Sequence, residues 1–124
     1  AKIKQGFFGG FFLNVSIQDK INFARHLSIV IKAGLPILKG LQMIQRQTSS
    51  KGLIRIIGQL IVDVSNGQFL ALSLERFPNV FDGFFINIVR VGETSGTLAQ
   101  NLLYLAEELK KAHDLKNKVR SAMI

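Results

Sequence analysis

The sequence predicts an all-α domain, a six-helix bundle with a long C-terminal helix. Three observations carry that expectation. Apolar residues recur at three- and four-residue spacing in segment after segment, the period of one helical face. Helix punctuation recurs between those segments: Ser16 with Asp19, "AGLP" at 33–36, "SNG" at 65–67, and Pro78. No segment shows the two-residue alternation of a half-buried strand.

The elements follow in order. Residues 1–15 read as a linker arm, with Lys2 and Lys4 and then "GFFGGFFL", whose glycines disfavour both helix and strand. Ser16 is suited to cap the first helix, and Asp19 complements its exposed amides. Ile17, Ile21, Ala24, Leu27 and Ile31 share one face, widened by Phe23 and Val30. Gly34 suits a helix-ending left-handed turn, and Pro36 the first turn of a second helix over about 36–47. A third helix spans about 53–64 and stops at "SNG", where Gly67 tolerates left-handed backbone. A short fourth helix over 69–75 is broken by Pro78. A fifth, about 82–91, places Phe81, Phe84, Phe85, Ile88 and Val91 at core spacing. The sixth opens at Thr97, with Gln100 completing a capping box. Its apolar residues, Leu98, Leu102, Leu105, Leu109, Ala112, Val119 and Met123, run nearly to the chain end. Glu107–Lys111 and Asp114–Lys118 are spaced for i,i+4 pairing on its wet face. At roughly 40 Å it exceeds the diameter of such a domain, so its tail should project.

At 124 residues, 48% of them apolar, the chain is long enough for one buried core. It has no cysteine, which excludes a disulfide scaffold, a thiolate metal site and a cysteine nucleophile. The longest uncharged stretch, Gln5 to Gln18, is fourteen residues and rich in glycine. That is short of the ~20 apolar residues of a membrane-spanning helix. His26 and His113 lie on different helices with no second ligand at metal spacing, so no metal is expected. The eight carboxylates are scattered, and no P-loop, G-x-G-x-x-G or G-x-S-x-G is present. Neither an enzyme nor a cofactor is expected.

Charge is uneven. Residues 1–62 carry nine Lys/Arg against Asp19 alone, whereas residues 63–124 carry seven of each sign. Lys110, Lys111, Lys116, Lys118 and Arg120 close the chain. Such a cluster suits the cytoplasmic flank of a membrane helix or a nucleic-acid contact, and composition leaves the two level.

"VGETSGTL" at 91–98 joins the last two helices. Gly92 or Gly96 is suited to end the fifth helix, and Glu93 falls near the start of the sixth, where a carboxylate is favoured. Arg90 is spaced to pair with it. The functional reading makes Arg90, Glu93 and Ser95 a partner-binding set.

Four motifs, "FARHLSIVIKAGLPI" (23–37), "SNGQFLALSLERFPNVF" (65–81), "VGETSGTL" (91–98) and "LKNKVRSAMI" (115–124), stand in an order that resembles the repeated cytoplasmic domain of the type II secretion F family. These are inner-membrane platform proteins of type II secretion systems and type IV pili. The resemblance covers residues 16–124 and implies a six-helix bundle ahead of a membrane-spanning helix, as the N-terminal of two copies. It resolves the basic tail in favour of a cytoplasmic membrane flank over nucleic acid. It further implies self-association as a homodimer or higher homo-oligomer, and a non-catalytic role on the cytoplasmic face of the bacterial inner membrane. The implied partners are a cytoplasmic assembly ATPase, other inner-membrane assembly proteins, and pilin or pseudopilin subunits. The alternative is a basic all-helical module that binds nucleic acid.

Overall fold

A computed structural model describes residues 14–123, and within them all regular structure is helical. Residues 1–13 of the expected arm lie outside the described chain. The helices are α1 (Ile17–Lys32), α2 (Ile37–Gln47), α3 (Lys51–Ser65), α4 (Leu70–Leu74), α5 (Gly83–Ser95) and α6 (Leu98–Ala122). No helix among the described residues is long and apolar enough to cross a membrane.

Caps set most of the boundaries. Ser16 and Asp19 form a reciprocal box: each backbone N–H donates to the other's side chain at 3.0 Å. Ser50 Oγ accepts from Leu53 N at 3.2 Å, so "QTSSKG" is both a loop and the cap of α3. Asp82 Oδ1 accepts from Phe85 N at 2.8 Å and starts α5. Pro36 stands at the N-cap position, one residue ahead of α2, with extended backbone. Gly34 and Gly67 follow α1 and α3 with φ of 100° and 89°. Pro78 occupies a tight turn in which Val80 N donates to Phe77 O at 3.0 Å.

α1 runs antiparallel to α6 and makes its most extensive packing against it. Ser28 Oγ, buried in α1, donates to Ala99 O at 2.6 Å near the start of α6. Lys20, at the other end of α1, adjoins Leu109 around a small surface hollow. The core is built from Ile21, Phe23, Ala24 and Leu27 of α1, with Leu41, Ile57, Leu60, Leu102 and Leu105 from the surrounding helices. Tilted aromatic contacts, Phe23 with Phe81 at 5.8 Å and Phe81 with Phe85 at 4.9 Å, join α1 to the start of α5.

Three sequence expectations are corrected. The buried face of α5 is Phe85, Ile86, Val89 and Gly92, while Phe84 and Val91 are exposed. Helix α5 is sandwiched between α4 and α6, so its inward arc is turned from the one that periodicity selects. On α6, Lys110 pairs with Asp114 at 3.0 Å and Lys111 with Glu108 at 3.3 Å, in place of Glu107–Lys111 and Asp114–Lys118. Asp114 takes the lysine one turn before it instead of the one after, and Lys111 takes Glu108 at three residues instead of Glu107 at four. Thr97 makes no side-chain cap. Its N–H donates to Gly92 O at 2.9 Å, closing the end of α5, and its backbone is therefore not in the extended form that a capping box needs.

One polar cluster lies inside the bundle. Asp63, near the end of α3, is buried. Its carboxylate accepts from Ser73 Oγ at 2.6 Å, Arg76 Nε at 2.7 Å and Gln59 Nε2 at 3.0 Å. Burial pushes its pKa up, but the hydrogen bonds from Ser73, Arg76 and Gln59 and the Arg76 charge outweigh it and hold it below the ordinary carboxyl value. This cluster ties α3 to α4 and to the turn that follows.

Asp63→Asn is expected to destabilise the fold by about 2 kcal/mol, since it removes the charge from a buried, hydrogen-bonded pair. Because the folded pKa is depressed, the stabilisation is full above the unfolded carboxyl value of about 3.9. It is lost as pH falls through the lower folded value. Urea unfolding of the two proteins should therefore differ near neutrality and converge in acid.

Candidate partner-binding groove

An open groove of about 710 Å³ lies at one end of the bundle. Its wall from α1 and α2 comprises Ser28, Ile31, Lys32 and Ile37. Val64, Gly67, Gln68 and Phe69 form the rim between α3 and α4, and Gly92, Glu93 and residues 96–100 with Leu103 close it. Three of the four sequence motifs meet here although they are spread over some seventy residues. Phe69 is 61% exposed and Leu103 40%, so the rim offers apolar surface to solvent.

Glu93 organises the groove. It accepts from Leu70 N through Oε2 at 2.6 Å and from Ala71 N through Oε1 at 2.8 Å. Glu93 therefore stabilises a helix N-terminus, but that of α4, more than twenty residues back in the chain, not of α6. The five-residue α4 has Phe69 at its N-cap position, and Phe69 supplies no side-chain cap. Two otherwise unpaired amides thus depend on one distant carboxylate. The same contact holds Phe69 at the groove rim.

Gly92 lies inside α5 and is not a turn residue; of the two glycines suited to end that helix, Gly96 does so. A Cβ at Gly92 would sit 2.9 Å from Leu98 Cα and 3.1 Å from Asn101 Nδ2. Its role is close approach: α6 starts directly against it. Gly96 ends α5 with φ of 73°, a backbone conformation favoured by glycine. Asn101 Nδ2 donates to Ile88 O at 2.9 Å and locks the helix pair.

Arg90, Glu93 and Ser95 are not brought together as one set. Arg90 forms an ion pair with Glu75 at the C-terminal end of α4, so it does not pair with Glu93. Ser95 is exposed on the last residue of α5 and does not line the groove. Arg90 and Glu93 thus hold opposite ends of α4. Sequence reasoning did not select Asp63, Ser73, Arg76, Phe69, Ser28 or Asn101 as site or framework residues. The run "SNGQFLALSLER" was the available signal for several of them. Among the described residues, no group of three or more His, Asp or Glu side chains is placed to hold a metal ion. Lys110, Lys111, Lys116, Lys118 and Arg120 lie away from the groove, on the exposed end of α6.

Glu93→Ala should cost about 1–3 kcal/mol in urea unfolding, because it strands two amides at the start of α4. Glu93→Gln, which keeps one good acceptor, should cost less than Glu93→Ala. Gly92→Ala should destabilise by roughly 1–3 kcal/mol, since the added methyl meets backbone and cannot be relieved by a rotamer change.

Comparison with known proteins agrees with this arrangement of motifs. The family described as "Type II secretion system (T2SS), protein F" matches residues 23–124. The type 4 fimbrial assembly protein PilC of Pseudomonas putida is 39% identical over 106 residues, which is 86% of this chain and 26% of that protein. The type IV pilus assembly protein PilC of Thermus thermophilus is 36% identical over 107 residues, with the same coverage of 86% and 26%. Type II secretion system protein F of Xanthomonas campestris is 32% identical over 104 residues, 84% of this chain and 26% of that protein. The chain thus spans about a quarter of the length of these relatives. With the family match extending from Phe23 to Ile124, this chain belongs to the type II secretion system protein F family.

Proposed function

We propose that residues 16–124 form a non-catalytic domain on the cytoplasmic face of an inner-membrane platform protein, joined to the preceding arm at residues 1–15. The domain couples a cytoplasmic assembly ATPase to the polymerisation of pilin or pseudopilin subunits. The carrying observation is the groove: a partly apolar concavity lined by residues of three of the motifs that carry the resemblance. Its framework is held by Glu93, Ser28 and Asn101, all hydrogen-bonded to backbone and none left poised for proton transfer or nucleophilic attack. A surface with aromatic and aliphatic groups exposed around a fixed depression suits protein recognition.

The polarity of the bundle supports the same reading. Asn14 lies against Gly52 at the start of α3, and the α6 tail leaves beyond Lys20 at the start of α1. The groove lies at the opposite end, beside the C-terminal ends of α1, α3 and α5. A motor engaging the groove would not compete with a membrane beside the tail. Platform copies would associate with one another and with further inner-membrane assembly proteins through surfaces outside it.

The test is binding of this chain to its cognate assembly ATPase over a salt series, with Phe69→Ser beside the wild type. Saturable binding, weakened about ten-fold by Phe69→Ser with an unchanged circular dichroism spectrum, is expected; ten-fold is about 1.4 kcal/mol. Absence of ATPase binding together with tight duplex-DNA binding that weakens steeply with salt would overturn the proposal in favour of the nucleic-acid module.

A further inference from the structure

The end of α6 carries a second surface, remote from the groove. Beyond Leu109 no residue of α6 is buried, yet Leu115, Val119 and Met123 are 63%, 51% and 82% exposed. At 100° per residue these three and Ala112 fall within an arc of roughly 80°. Lys111 and Lys118 border one side of that arc, and Lys116 and Arg120 the other. The opposite face is polar and paired within itself: Lys110 with Asp114 at 3.0 Å, and Asn117 with His113 at 3.3 Å. Among the described residues, Lys116, Lys118 and Arg120 have no carboxylate within ion-pair distance.

The geometry points to the α6 tail as an amphipathic segment that lies along an anionic lipid surface, with its apolar stripe inserted and its two basic borders at the headgroups. An exposed apolar stripe bounded by Lys118 on one side and by Lys116 and Arg120 on the other, none of them paired with a carboxylate among the described residues, matches the charge and polarity of such an interface. A second copy packed stripe to stripe would bring these basic borders together and repel. Nucleic acid would use the cations and leave the stripe in water. The inference deepens the proposed function by naming the chemistry of the surface beside the tail. It rests on that reading only in placing the domain next to a membrane.

Flotation with vesicles tests it. The wild-type chain should partition at least ten-fold more strongly onto phosphatidylcholine vesicles containing roughly 30% phosphatidylserine than onto phosphatidylcholine alone. Leu115→Ser with Val119→Ser, and separately Lys116→Glu with Arg120→Glu, should each reduce that partitioning ten-fold or more. All four positions are exposed, so the fold is retained, and the N-terminal arm is identical in every variant. Equal partitioning onto neutral and anionic vesicles, or wild-type behaviour of either double variant, would overturn the inference. So would a dimer in sedimentation that only Leu115→Ser with Val119→Ser abolishes, since a second copy would then cover the stripe. Lost lipid binding with intact ATPase binding rejects this inference alone. Lost ATPase binding with intact lipid binding rejects the motor-coupling reading alone.

Discussion

The arrangement at the groove depends on one carboxylate reaching across the chain. Glu93 projects from α5 and holds the first two amides of α4, a helix too short to be stable by itself. Arg90, one turn earlier, is paired with Glu75 where α4 ends. Two side chains on one face of α5 therefore fix both ends of α4, and Asp63 holds Ser73 and Arg76 from the other side. Helix α4 packs Leu70, Ala71 and Leu74 into the core and is also clamped at both ends, and the placement of Phe69 follows from the clamp.

A second constraint, Gly92, makes the clamp possible. With no side chain there, α6 begins in contact with α5, and the left-handed Gly96 lets the chain reverse within two residues. Leu98 and Leu102 then descend directly into the core, and Ser28 anchors α6 to α1. The groove is the space left where these short connections meet the ends of α1 and α3. Close backbone packing at Gly92 and the reversal at Gly96 shape one wall of it.

Much of the fold was legible because its signals are local. The Ser16–Asp19 box, the Gly34 and Gly67 stops and the apolar stripe of α1 each lie within a few residues of what they specify. Glu93 was legible as a residue of consequence but not in its role, since its partners are 22 and 23 residues away and are backbone amides that any sequence supplies. Asp63 was missed for the same reason: its network joins α3 to α4 and becomes visible only when the two are packed. Thr97 misled because its capping-box pattern competes with a glycine turn ending at the same residue. The turned face of α5 reflects packing on two sides, which a one-face periodicity does not describe.

The bundle thus has two ends with different chemistry, a clamped, partly apolar groove and a basic, amphipathic tail. In the proposed function, the first of these receives the motor. Hydrogen–deuterium exchange of the chain with and without its cognate assembly ATPase tests this directly. Added protection is expected in the segments 67–71 and 92–100, with the α6 tail unchanged. Protection confined to the α6 tail, with the groove segments exchanging as in the free chain, would contradict it.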